Sequence, residues 1–197
     1  NPLAAINHAG QLLQETSESE ADKKLTGIIN TQVLRLNAIV KNILQLSRQQ
    51  RGKPESIDLE PWLQHFSEEF VATNKLTHEQ VDINIAQHGL TIQFDSGQLH
   101  QVLWNLCSNA INHGGIPAAR LRITIACGID EDTGQPYLDI ADNGRGIDDE
   151  TQSQIFEPFF TTSAKGTGLG LYITKEVIES NRAKIRVDSS PDVGTCF

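Results

Sequence analysis

Apolar positions in the first 50 residues step by three and four, which marks helix. Leu3, Ile6, Gly10 and Leu13 form one run. After a polar stretch over 15–22, a second run follows: Leu25, Ile29, Gln32, Leu36, Ile39, Ile43 and Leu46. Its steps alternate four and three, the spacing of a heptad seam. A helix over 20–50 is about 45 Å long at the α-helical rise. One short partner cannot cover a seam of that length. An antiparallel hairpin that pairs with a second copy, forming a four-helix bundle, can. The sequence therefore predicts a helical hairpin over 1–50 that makes a homodimer.

The polar segment 51–56, with Gly52 and Pro54, interrupts the pattern and predicts a linker over 51–57 and a second domain over 58–197. Beyond it the periods are mixed. Helices are expected over 59–73, 96–113 and 169–180, the last ending at Asn181. Strands are expected over 81–86, 90–94, 121–127, 137–141 and 184–188, and from Thr195 onward. The strand pairs near 85–92 (around Gly89) and 125–138 (with a turn over 130–135) read as hairpins. That favours an α+β chain, its second domain a mixed α/β sandwich with helices on one face of the sheet. The segment 147–167 has no sustained period. A loop of that length in a compact domain, here between two glycine clusters, predicts a lid over a ligand.

Composition narrows the classes. At 197 residues with 38% hydrophobic residues the chain can build a substantial core. No apolar run approaches the ~20 residues that span a bilayer, so no direct membrane contact is expected. The absence of methionine is expected of a piece of a longer chain. Cys107, Cys127 and Cys196 show no metal spacing and fit a reducing cytosol. A net charge of −9 argues against nucleic acid as a partner.

Three short motifs carry the chemistry. Asn105, Asn109 and His113 share one face of the 96–113 helix, with Asn112 one position off it. Amide oxygens suit a Mg²⁺ ion that keeps most of its water and phosphate ligands. Asp142-Asn-Gly144-Arg-Gly146 ends a strand. An Asp there can accept a hydrogen bond from an exocyclic amine, and the glycines let the chain turn close to a flat base. Gly166-Thr-Gly168-Leu-Gly170 opens a helix whose free N–H groups favour phosphate. It lacks the feeding strand of a dinucleotide fingerprint and the Gly-Lys-Ser/Thr ending of a P-loop. In this order the three point to a nucleotide pocket.

Together these motifs resemble the kinase core of bacterial sensor histidine kinases of two-component systems. The N box matches Asn105 through His113, and the first glycine box Asp142 through Gly146. The Phe box matches Phe156-Glu-Pro-Phe159-Phe160, the second glycine box Gly166 through Leu171, and the last Gly194-Thr195. Asn1-Pro2-Leu3 resembles the end of the phosphoacceptor box His-Glu-x-x-Asn-Pro-Leu. The first thirteen residues are similar to the pilus-regulating and nitrogen-sensing subgroup.

The resemblance implies a Bergerat-type (GHKL) fold in the second domain, with ATP and Mg²⁺ as cofactors. Asp142 is expected on the adenine amino group, with the Thr195 hydroxyl beside it. Asn109 is expected on Mg²⁺, and Asn105, Asn112 and His113 along the same wall. Gly144, Gly146 and Ile147 are expected to shape one side, and Gly166, Thr167, Gly168, Leu169, Gly170 and Leu171 the other. Phe156, Phe159 and Phe160 would anchor the lid, and Arg145 and Lys165 would contact phosphate. Asn1 would occupy the position that places water during dephosphorylation of a response regulator, the expected second partner. The phosphoacceptor His is expected four residues before Asn1. His8, further along the helix, does not replace it. A cytoplasmic place is implied, with a longer parent anchored in the inner membrane.

Two departures stand out. Ser163 occupies a position often Lys in the lid, and Arg182-Ala183 replaces a common Gly-Gly, with Asn181 expected in the left-handed cap. The competing readings are a GHKL ATPase and a nucleotide-binding dimerisation module without kinase activity. The ATPases use a Glu on the N-box helix to activate water. Asn105 stands at that position, and an amide is no general base at neutral pH.

Overall fold

A computed structural model describes residues 2–17, 19–49, 52–163 and 166–197. Helices α1 (Pro2–Thr16) and α2 (Glu20–Gln49) form the expected hairpin. They meet along Gly10, Thr26 and Val33, all buried. At Gly10 a side chain would run into the Asn30 amide, so glycine permits the close approach. The buried Thr26 hydroxyl donates to its own helix at Asp22 O, 2.8 Å away. The heptad positions Leu25, Ile29 and Leu36 lie on another face and remain exposed. Leu3 of the first run and Ile39, Ile43 and Leu46 of the heptad have side chains that lie outside the described ones.

The second region is built from β1 (Glu55–Asp58), α3 (Leu59–Asn74), β2 (Val81–Ile85), β3 (Thr91–Phe94), α4 (Ser96–His113), β4 (Ile123–Ile129), β5 (Pro136–Asp142), α5 (Asp149–Gln152), α6 (Gly170–Ser180), β6 (Asp188–Ser190) and β7 (Gly194–Cys196). Five strands form a mixed sheet in the order β2-β4-β5-β7-β6. Leu63, Phe66 and Phe70 of α3, Leu103 and Leu106 of α4, and Ile173 and Val177 of α6 pack with Ile123, Ile125 and Ile140 of the sheet into one core. The layered arrangement agrees with the α+β reading. Asp95 starts α4 by accepting the Gln98 N–H at 2.9 Å, and it also accepts the Lys53 N–H at 2.9 Å. One carboxylate thus fixes both a helix end and the entry from the linker.

Four expectations change. β2 and β3 do not form a hairpin: β2 runs parallel to β4, and β3 pairs antiparallel with β1 in a separate two-stranded sheet. Gly89, at φ +70°, turns the chain from one sheet to the other. β1 takes residues that the sequence reading gave to the 51–57 linker. The 184–188 strand is displaced, because the ladder with β7 begins only at Asp188. The left-handed residue after α6 is Arg182 (φ 61°), while Asn181 stays at φ −92°. The Asn181 amide instead donates to Gln98 Oε1 (2.6 Å) and Val177 O (2.8 Å). The 125–138 hairpin is present as β4–β5, closed by Asp130, which accepts from both the N–H and the hydroxyl of Thr133.

Candidate nucleotide site

A cavity of about 730 Å³ opens between α4, the end of β5, the 147–168 segment and the start of α6. Asn105, Asn109 and His113 line it from α4, as their four-residue spacing predicts. Asp142, Gly146, Ile147 and Thr195 close one end, and Gly166, Thr167, Gly168, Gly170 and Leu171 the other.

Asp142 is the last residue of β5 and stands opposite Thr195 in the ladder with β7. Its carboxylate accepts the Gly144 N–H at 2.7 Å and the Thr195 backbone N–H. Burial raises its pKa above the ordinary carboxylate value, and these N–H groups offset part of the effect. Beneath it, Cys107 is fully buried. Its thiol is pushed up to about 12 by burial and by the Asp142 charge, so it packs as a neutral small group.

The glycines of this loop act differently from the sequence expectation. A side chain at Gly144 would meet Asp142 Oδ1 and the Gly114 backbone, and one at Gly146 (φ +69°) would collide with the Ser190 carbonyl. Both serve approach of chain to chain. Gly144 does not line the cavity at all.

On the α4 wall, the Asn105 amide donates to Thr174 Oγ1 at 2.7 Å and is committed to holding α6. The Asn109 amide has no hydrogen-bond partner among the described residues and lines the cavity. His113 is held below its ordinary pKa by burial and then by the Arg145 charge. Arg145 lines the same wall.

At the lid, Phe159 takes a left-handed φ of 69° and donates its N–H to Gly168 O at 2.8 Å. Gly168 has φ +69°, and a side chain there would strike the Phe159 backbone. α6 then starts at Gly170 with no side chain capping it. Its first N–H groups are without helical partners, and Gly170 and Leu171 border the cavity.

Several expected residues are not brought into the cavity. Asn112 is exposed and does not line the cavity. Phe156 packs edge-on against Phe197, with ring centroids 6.4 Å apart. Leu169 is buried in the core. Asn1 and Lys165 lie outside the described residues. Phe160 and Arg145 do line the cavity, whereas the Phe159 ring is exposed.

Two residues that the sequence reading missed organise the Asp142 end. Ser189 Oγ accepts the Ile147 N–H at 2.9 Å, donates to Gly194 O at 2.8 Å and lies 2.9 Å from Thr195 Oγ1. Gln152 Nε2 donates to the carbonyls of Ile147 (2.8 Å) and Ser189 (2.9 Å). No sequence signal marks either, because Ser and Gln are common and the bonds that join the two segments span 37 and 42 positions.

Comparison with known proteins agrees with this architecture. Residues 94–197 match the family described as histidine kinase-, DNA gyrase B- and HSP90-like ATPase, and residues 1–52 match the His Kinase A (phospho-acceptor) domain. The chain belongs to the bacterial sensor histidine kinase family. It is 39% identical to the sensor protein kinase PilS of Pseudomonas aeruginosa over 100% of this chain and 37% of the relative. It is 32% identical to sporulation kinase A of Bacillus subtilis, over 100% and 32% respectively. The chain thus spans about a third of the length of these curated relatives. A crystal structure of the histidine kinase ThkA in complex with the response regulator TrrA is 26% identical, with a TM-score of 0.70. The match covers 100% of this chain and 56% of that one. Among the described residues, no helix is long and apolar enough to cross a membrane.

Proposed function

We propose that this chain is the kinase core of a two-component sensor. In this reading it binds ATP with Mg²⁺ in the cavity and transfers the γ-phosphoryl group to a His on the helical hairpin, from which it passes to an Asp of a response regulator. The observation that carries the reading is the division of the cavity into two chemically distinct ends. A half-buried carboxylate stands at one end, and an uncapped helix N-terminus at the other. The first suits the exocyclic amine of a base and the second a polyphosphate. The cavity between them, about 730 Å³, is larger than a slot for a single small anion.

Asn109 supplies a free amide oxygen on the wall between the two ends. Among the described residues, no group of three or more acidic, His or Cys side chains could hold a metal by itself. This fits a Mg²⁺ ion that arrives with the triphosphate and takes only one protein oxygen. When bound, the cation neutralises phosphate charge as the phosphoryl group leaves. The protein's part is positioning: α4 and the lid hold the triphosphate in line and shield it from water. The amide of Asn105, engaged with Thr174, offers no base for water. That favours transfer over hydrolysis.

The exposed seam of Leu25, Ile29 and Leu36 supports a homodimer through the hairpin. The response-regulator complex of ThkA supports the second partner. By the family resemblance, the acceptor His precedes Asn1 and Asn1 takes part in dephosphorylation.

The test is a longer version of the chain that begins upstream of the expected His-Glu pair. With radiolabelled ATP and Mg²⁺ it is expected to take up acid-labile, base-stable label, while the 197-residue chain takes up none. Label on the 197-residue chain overturns the placement of the acceptor. ATP bound without label on either overturns the kinase reading, and a fast steady-state ATPase rate does the same.

A further inference from the structure

The hydroxyl groups at the Asp142 end of the cavity can be oriented from their partners alone. Ser189 Oγ has three contacts and one proton. The Ile147 N–H can only donate to it, at 2.9 Å. The Gly194 carbonyl can only accept from it, at 2.8 Å. All three contacts are hydrogen bonds at once in a single arrangement, in which the Thr195 hydroxyl donates to Ser189 across 2.9 Å. Gln152 holds the Ser189 and Ile147 carbonyls through one amide and so fixes the backbone on which this arrangement depends. Both hydroxyl-bearing residues are buried.

With its proton committed, the Thr195 hydroxyl can only accept from a ligand. The ionised Asp142 carboxylate beside it also only accepts. We propose that Ser189 is a positioning residue for base selection: by taking the Thr195 proton it makes this end of the cavity an acceptor-only wall that admits a 6-aminopurine and rejects a 6-oxopurine. The inference rests on the reading of the cavity as a nucleotide site. A 6-aminopurine presents N–H donors to such a wall. A 6-oxopurine presents an oxygen, leaving buried acceptors facing another acceptor.

The experiment measures dissociation constants for ATP and inosine triphosphate, both with Mg²⁺, by titration calorimetry. The wild-type chain is expected to prefer ATP. In Ser189→Ala, Thr195 is free to turn and donate, and the preference is expected to fall about three- to tenfold. Ser189→Thr keeps a hydroxyl and is expected to keep the preference. In a Thr195→Val background, Ser189→Ala should change it no further. An unchanged preference in Ser189→Ala, or an equal fall in the Thr195→Val background, overturns the assignment. Failure of the wild-type chain to bind ATP sinks the nucleotide reading and this inference with it. A second measurement needs no Ser189 variant. In the wild-type protein, NMR is expected to show a Thr195 hydroxyl proton that exchanges slowly and lies close to Ser189. A proton in fast exchange with water overturns the proposal.

Discussion

Asp142 carries opposed demands. Burial raises its pKa above the unfolded value of 3.8, so the folded chain holds that proton more tightly than the unfolded one. The sign follows: stability falls as pH rises from 3.8 through the higher folded value, and the loss persists at neutral pH. Asp142→Asn cannot ionise, yet keeps an oxygen for the Gly144 N–H. Its melting temperature without nucleotide should exceed that of wild type at pH 7, with the gap closing below pH 3.8. Its ATP affinity should fall by about tenfold or more, the cost of a charge-assisted hydrogen bond. A variant that melts lower at pH 7 and still binds ATP normally would contradict both parts. Asp142 and Asn109 were legible in the sequence because each belongs to a short local pattern. Ser189 and Gln152 were not, since the bonds that tie their two segments together span 37 and 42 positions.

At the scale of elements, the lid is the part most sensitive to a single atom. Gly168 has a left-handed backbone, and a Cβ there would enter the Phe159 main chain. Gly168→Ala should therefore release the Phe159–Gly168 hydrogen bond and displace the start of α6. The expected outcome is loss of ATP binding, faster proteolysis within 159–168 and a lower melting temperature, because Leu169, the next residue, belongs to the core. Unaltered binding would show that the lid does not order the phosphate end. Asp95 makes the opposite kind of prediction. Asp95→Ala removes the α4 cap and the tie to Lys53, and chemical denaturation should show a loss of about 1–2 kcal/mol. A loss confined to ATP affinity would contradict its structural role. Helices α3, α4 and α6 could be read from their apolar periods, and the β4–β5 hairpin from its turn residues. The partners of β2 and β3 could not. Alternation shows which face of a strand is buried but not which strand lies beside it, and the parallel β2–β4 pair has no turn to announce it.

On the scale of the molecule, the hairpin presents two faces of different kinds. The inner one is narrow and built on Gly10, Thr26 and Val33. The outer one carries Leu25, Ile29 and Leu36, with Leu25 still 59% exposed. The heptad in the sequence therefore describes the outer face, and the small and buried positions one step away describe the inner one. A face of this length does not stay in water without a partner. At Leu25, Ile29 and Leu36 the second region leaves it uncovered, so a second copy is the occupant that the hairpin geometry favours, with each seam residue meeting its symmetry mates. Sedimentation equilibrium should find the chain dimeric. Leu25→Glu with Ile29→Glu removes two apolar contacts of about 1.5–3 kcal/mol each per chain and sets like charges across the interface. That double variant should be monomeric, with a helical circular dichroism signal close to wild type and unchanged ATP affinity, because among the described residues none from either helix lines the nucleotide cavity. Val33→Glu, on the inner face, should instead unfold the hairpin itself. If the double variant stays dimeric, the second copy joins through some other surface. If Val33→Glu leaves the hairpin intact and only separates the copies, the two faces have been assigned the wrong way round.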